Sequence, residues 1–477
     1  MNNCLSSRIL RLPHLFLYLL LAFANQAMGA QQATGQASLQ TQIRELEQDF
    51  KSLSTWFYRD ASSYTAISQH SIDDIDRLLA QVQQLEKEDQ TTSAIQLMYF
   101  NKETIKNNLD HKSVFVFTEI LLENNEWNLA DTLYRFVYEE GDKSLLPTIQ
   151  FIFAKYHAER HEWTQVHEVL ENIISELSKN DAAYGYLLNG TALQHMKKHR
   201  LAVDNYKKVA KDSDYYIYAQ LDSAIAHIRQ GWWTDAHSTI TEILETSGKD
   251  NSDELINRLY LVLGYAMLHK EYYRDARDAF RHIALDSRYT NRALLGIGLT
   301  ATSQGDLVGG LNALTILKNK KTSDLSVDES YLLVPYIYEK LQQEMTVSSS
   351  YTEAMDYFQK RIREMDKLTA QHHDFSNADY ERATASFVLA NNSFDYGRKY
   401  PESFINNYRQ LITFSATVKD KKLSDEIERL SKRHDVVFQL IIDDLIAQRK
   451  KYLRSYLSQA QYGLARLYDN SNEADGQ

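Results

Sequence analysis

Two pairs of histidines stand at a spacing that can hold a divalent metal. His157 and His161, in His-Ala-Glu-Arg-His, lie one helical turn apart, and so do His195 and His199. Two imidazoles at i and i+4 on one helix face are the beginning of a zinc site. Neither pair has the His-Glu-x-x-His order that adds a general base, and His372-His373-Asp374 reads as a polar connector. The chain has no phosphate-cradling Walker loop, no Gly-x-Ser-x-Gly elbow, no paired Cys-x-x-Cys and no EF-hand loop. Carboxylates are plentiful, but no spacing selects two as an acid and a base, and most read as a solvated face. The expectation is no catalytic residue, no metal and no cofactor.

The elements that position these side chains are legible in a phased pattern. Gly190, Ala224, Gly264 and Gly298 are each followed twelve positions later by Ala202, Ala236, Ala276 and Gly310, then four positions on by Tyr206, Ile240, Phe280 and Leu314. A residue no larger than methyl at each mark lets two helices cross closely, and the bulky residue one turn later fills the seam to the next pair. A single helical hairpin cannot bury both faces, so the units must stack. The intervals between first marks are 34, 40 and 34 residues, and the excess in the middle falls on the polar, turn-rich stretch Thr246 to Asp253.

This pattern resembles the tetratricopeptide repeat family, most closely over Tyr260-x2-Leu263-Gly264-x2-Met267 and Tyr273-x2-Ala276-x3-Phe280-x2-Ile283. Fainter second-helix marks occur at Trp127, Ala130 and Tyr134, at Trp163, Val166 and Leu170, and at Tyr351, Ala354 and Phe358, with Pro335 inside the last first-helix. About seven hairpins are expected. The resemblance implies an all-α fold, a right-handed α-solenoid of hairpins with N-terminal helices and a long C-terminal helix.

The first residues read as a secretory signal peptide: Arg8 and Arg11, an apolar run from Leu15 to Ala24, then Ala27, Gly29 and Ala30. The run is too short for a bilayer core, which takes about 20 residues. Cys4 is the single cysteine and lies within that segment, so no disulfide and no lipid anchor are expected, which fits a periplasmic location. The 53 basic residues are outnumbered by 64 acidic ones, a formal charge of −11, and this disfavours nucleic acid and anionic membranes as partners.

The expected organisation is a signal peptide over 1–30, an N-terminal helical or capping region over 31–110 and a solenoid over 111–363, strongest over 183–317. A helical connector over 364–423, a long helix over 424–469 and a disordered tail over 470–477 follow. Ile43, Leu46, Phe50 and Leu53 recur at helical spacing, as a cap or a coiled-coil arm. In the long helix Ile427, Leu430, Val437, Ile441, Leu445, Tyr452 and Tyr456 share a stripe, and the broad apolar run 436–442 favours docking over a free coil. Asn391 to Pro401 reads as a loop between helices.

In arrays of the resembled family the first helix of each hairpin lines a concave groove. Carried to this chain, the lining is Tyr184, Thr191, Gln194 and His195, then Tyr218, Ile225, Ile228 and Arg229, then Arg258, Tyr265, Leu268 and His269, then Arg292, Leu299 and Thr302. The resemblance implies a peptide groove with a few anchoring contacts. It does not extend to the family's carboxylate clamp, because Leu187 and Thr191 stand where Lys and Asn are needed. The groove residues could instead be covered by C-terminal helices folded back on them. Two functions follow: a noncatalytic periplasmic scaffold holding a protein or peptide partner of a cell-envelope complex, or a structural subunit that self-assembles into a homo-oligomer through its C-terminal helix. An enzyme acting on envelope glycan or peptide ranks third.

Overall fold

A computed structural model describes residues 29–60, 67–246, 254–320, 324–373, 379–381, 386–396 and 400–475. The expected signal peptide, apart from its last residues, and the loop expected after Thr246 lie outside these. Helix α1 (Gly29–Arg59) precedes the array. The hairpins are α2 (Ile75–Lys87) with α3 (Thr91–Phe100), then, after the short α4 (Lys102–Lys106), α5 (Ser113–Glu123) with α6 (Trp127–Glu140) and α7 (Leu146–Glu159) with α8 (Trp163–Ile173). They continue as α9 (Lys179–His195) with α10 (His199–Tyr206), α11 (Tyr216–Arg229) with α12 (Trp233–Thr246), α13 (Glu254–His269) with α14 (Tyr273–Arg281), α15 (Thr290–Ser303) with α16 (Leu307–Lys318) and α17 (Leu325–Lys340) with α18 (Glu344–Thr369).

One backbone device makes each of these turns. Asp89, Asn125, His161, Lys197, Gly231, Glu271, Gly305 and Gln342 all hold φ between 56 and 83°. In every case the next residue donates its amide to the carbonyl five positions back, from Gln90 to Leu85 at 2.8 Å through to Gln343 to Tyr338 at 3.2 Å. This is the Schellman arrangement, which satisfies the last carbonyls of the first helix and reverses the chain. Its recurrence extends the array beyond the seven expected hairpins to the α2/α3 pair, inside the region assigned to a cap.

The small-residue marks do what close crossing requires. A Cβ added at Gly264 would lie 2.5 Å from Phe280 Cε1, and one at Gly296, on the next hairpin, 2.4 Å from the opposite ring edge. Phe280 is therefore clasped between its own first helix and its neighbour's, and only 1% of it is exposed. The downstream copy is phased differently from expectation. Counted from the turn at Gln342, Val347 and Tyr351 take the second-helix marks, while Ala354 and Phe358 lie about two turns further along the 26-residue α18 and are buried.

The connector is not wholly helical. Strands β1 (Asp379–Glu381), β2 (Ser386–Leu389) and β3 (Asn392–Asp395) form an antiparallel sheet in the order β1-β2-β3. Ala390 and Asn391, with φ of 46 and 64°, make the two-residue reversal between β2 and β3, a hairpin turn that needs two left-handed residues. Four residues of the stretch read as an interhelical loop, Asn392–Asp395, are thus a strand, because Phe387, Leu389 and Phe394 are buried by alternation rather than by helical period. Helix α19 (Ser403–Thr417) follows.

Helix α20 (Lys421–Asp475) has 55 residues, about 80 Å at 1.5 Å per residue. It runs through most of the segment expected to be a disordered tail. Its first half packs on α1 and α19, and its second half runs against α18 and touches α17. One continuous core therefore holds Phe50 and Phe57 of α1, Phe414 of α19, Ile441 and Leu453 of α20 and Phe358 of α18. The two ends of the array are tied together. Phe57 stacks on Phe414 at 4.0 Å, Asn125 bonds Asn407 at 2.5 Å, and Arg433 pairs with Asp49.

Candidate partner-binding groove

Counting back from each left-handed turn residue gives the lining of the first helices. Thirteen positions before it stand Tyr184, Tyr218, Arg258, Arg292 and Glu329; six before it Thr191, Ile225, Tyr265, Leu299 and Tyr336; two before it His195, Arg229, His269, Ser303 and Lys340. Tyr218, Arg229 and Arg292 are exposed, and Tyr184, Thr191, Ile225, Arg258 and Tyr265 are half-buried. Sequence reasoning missed Glu329, which continues the row after Arg292. The count from Gln342 would have found it, but Pro335 holds the small-residue mark in α17 and hid the phase.

Gln194 departs from its expected role. It is buried, its amide donates to Tyr206 Oη at 2.8 Å and to the Asp222 carbonyl at 2.9 Å, and its Oε1 accepts from Arg229 Nη1 at 3.0 Å. It therefore braces two hairpins, because the residue three before the turn faces the seam. Leu268 is buried at the same place, and Ile228 and Thr302 are half-buried. Tyr184 stacks on Tyr215 at 4.7 Å, and Tyr265 donates its hydroxyl to the Arg292 carbonyl at 2.8 Å.

His195 and His269 are rim residues. His195 lies flat on Trp163 at 4.2 Å, and His269 on Trp233 at 4.6 Å. In each case a tryptophan opening one second helix stacks on the histidine closing the next first helix. The histidine pairs that could have shared a metal are occupied otherwise. His157 Nδ1 pairs with Glu162, while His161 stacks on Trp163 at 5.2 Å and burial, then His195, pulls its pKa down to about 4. His373 Nε2 bonds the Leu368 carbonyl at 2.7 Å. Among the described residues no group of three or more His, Cys, Asp or Glu is placed to hold a metal, and no helix is long and apolar enough to cross a membrane.

The electrostatics divide the groove. Asp222 is raised above the usual carboxylate range by burial, against the pull of Arg258 and Arg229, so those arginines share an internal anion. Arg292 lies beyond it. Burial pushes Tyr265 well up, and Glu329 adds to that. Glu329 itself is raised by burial to about 7, while a hydrogen bond from Tyr456 of α20 opposes the shift. Among the described residues, helix α20 meets the groove chiefly at its last first-helix, where Arg449 also forms an ion pair with Asp328 at 2.6 Å. Its principal contacts leave α9, α11, α13 and α15 uncovered.

The period, the small-residue crossings and the repeated turn make this protein an all-α solenoid of stacked helical hairpins that resembles tetratricopeptide-repeat arrays. No family model matches the chain, and no curated protein matches it. Among solved structures, the apo form of RapI is similar over 75% of this chain and 96% of its own, at 13% identity and a TM-score of 0.44. PilF of Pseudomonas aeruginosa is similar over 47% and 97%, at 14% identity and 0.36. PilW, a type IV pilus biogenesis factor, is similar over 53% and 96%, at 12% identity and 0.29. Likeness at these scores transfers no role, and the reading of function rests on the chain's own residues.

Proposed function

We propose that the protein is a noncatalytic scaffold that holds a protein or peptide partner in the groove lined by α9, α11, α13 and α15. One observation carries this reading. Most of the apolar stripe of the long C-terminal helix is spent inside the chain, with Leu423, Ile427, Leu430, Phe438, Ile441 and Leu453 all at 1% exposure or less, and Tyr218, Arg229 and Arg292 of the groove stay exposed. A row of tyrosine followed by arginine suits a peptide that brings apolar anchors and a few acidic groups. Self-assembly through the C-terminal helix would have to use its outward side, where Val436, Leu440, Tyr462 and Tyr468 stay exposed while α1, α18 and α19 cover the stripe, and it is the second reading.

The setting we propose is a cell-envelope complex reached by export, on the strength of the N-terminal arginines and apolar run. Terminal sequencing of the protein from a periplasmic fraction checks it, with a first residue between 29 and 31 expected; a retained Met1 would rule export by cleavage out. Affinity purification of the tagged protein from its native host tests the groove. A defined partner should be recovered with the native sequence and lost with Tyr218→Ala plus Arg292→Glu at unchanged helix content. Full retention of the partner by that double variant would remove the groove from consideration.

A further inference from the structure

The groove is not the only face of the array that lacks a covering. Helix α1 lies across the turn edge of the first three hairpins. Ser54 Oγ donates to the carbonyl of Asn125, a left-handed turn residue, at 3.2 Å, and Thr55 to the Glu126 carboxylate beside it at 3.2 Å. One turn earlier, the Lys51 ammonium sits 4.1 Å from the centre of the Trp127 ring and 5.2 Å from that of Tyr156, on the next hairpin. Helix α1 also packs on α3 of the first hairpin. An amphipathic helix therefore caps this edge, following the succession of turns.

On the remaining five hairpins the same edge presents one large apolar residue per turn, within four positions after the left-handed residue. These are Leu201 at 50% exposure, Trp232 at 37%, Tyr272 at 64%, Val308 at 61% and Met345 at 91%. Single exposed hydrophobic residues are ordinary. Five on consecutive repeats of an acidic chain, each in the cap or first turn of a second helix and one to four positions after its turn residue, make a row of exposed apolar side chains along one edge, in which Trp232, the least exposed, also meets His227 edge-on at 5.8 Å and the Arg200 guanidinium at 5.7 Å.

We propose that this edge of the last five hairpins is a second binding surface, distinct from the groove, and that its occupant is an amphipathic helix of a partner protein laid across the turns as α1 is laid across the first three. The spacing supports a helical occupant. Packed helices sit about 8–10 Å apart, and seven residues of helix rise about 10.5 Å. A helix with an apolar residue every seven would thus set one side chain on each hairpin, whereas an extended chain at about 3.3 Å per residue would need a period of three.

A photo-crosslinking residue placed in turn at 232 and 308 of the full chain, in its native host, tests this. The two positions are two hairpins apart. The expected result is one partner, captured from both positions at points about 14 residues apart, and loss of both crosslinks in a Tyr272→Glu background with helix content unchanged. Capture points about six residues apart would overturn the helical occupant. Crosslinks to a second copy of this chain, or no crosslink beyond that seen from Thr315 on the exposed outer side of α16, would overturn the surface. Because neither position lies in the groove, failure here leaves the groove reading standing.

Discussion

Gly296→Ala is the most exacting test of the packing argument, because two effects of opposite sign compete there. Replacing glycine inside a helix by alanine gains about 1 kcal/mol in helix propensity. The added methyl would lie 2.4 Å from Phe280 Cε2 and Cζ, where ordinary contact begins at 3.4 Å, so the ring must retreat by roughly an ångström. It cannot retreat freely, since the position of a Cβ on Gly264 is only 2.5 Å from the other ring edge. Overpacking of this kind costs about 1–3 kcal/mol, so after the propensity gain the net expected change is a loss of about 0–2 kcal/mol. Urea unfolding followed by circular dichroism, with hydrogen exchange resolved over α13 to α15, reads it locally, as a linear array requires. Phe280→Leu in the Gly296→Ala background should recover most of the loss, and the chain carries its own precedent in Ala224, whose matching bulky residue is Ile240 rather than a ring. A Gly296→Ala variant stabilised by about 1 kcal/mol, the propensity gain alone, would refute the clasped-ring account.

The buried carboxylate Asp328, at 0% exposure, bonds Tyr357 Oη at 2.7 Å and Arg449 at 2.6 Å and faces Arg361; Asp328→Ala should cost about 3–5 kcal/mol by stranding buried arginines, seen as a lower urea midpoint and faster exchange at the α17–α20 junction. His434, fully buried between Phe404 and Tyr408, is held down to about 4 by burial. Its folded pKa lies below the unfolded value near 6.5, so its contribution of about 3 kcal/mol is complete above pH 6.5 and lost as pH falls towards 4; His434→Gln should flatten that part of the stability profile. Glu329 runs the other way, because its pKa of about 7 lies above the unfolded value. Its ionisation penalises the fold above pH 7 and is relieved as pH falls towards 4.5, so Glu329→Gln should stabilise by at most about 3 kcal/mol at pH 8 and by little at pH 5.

The array was legible because its marks are chemical necessities. A ring the size of Tyr206 or Phe280 demands a glycine opposite, and that pairing recurs at a fixed interval whatever else the helices carry. The flanking hairpins were fainter because Val82 and Thr118 occupy the glycine mark there. The turns were harder to see still. Six of the eight left-handed residues are not glycine, so the strongest structural period has no single-letter signature. The sheet at 379–395 was hidden by strands of three or four residues, too short to show alternation against a helical background. In the groove, counting from the turn recovers Glu329 and moves Gln194 into the seam, neither of which residue type alone conveys. The docking of α20 was anticipated by its broad apolar run, but its partner α1 lies hundreds of residues away, and nothing local names it.

The central claim is that a partner occupies the concave face. Hydrogen exchange of the purified complex against the free chain measures this directly. Slowed exchange in the first helices α9, α11, α13 and α15, centred on the turns of helix carrying Tyr218, Tyr265 and Arg292, is the result expected. Protection confined to α20 or to the outer helices α10, α12, α14 and α16, with the first helices unchanged, would contradict it.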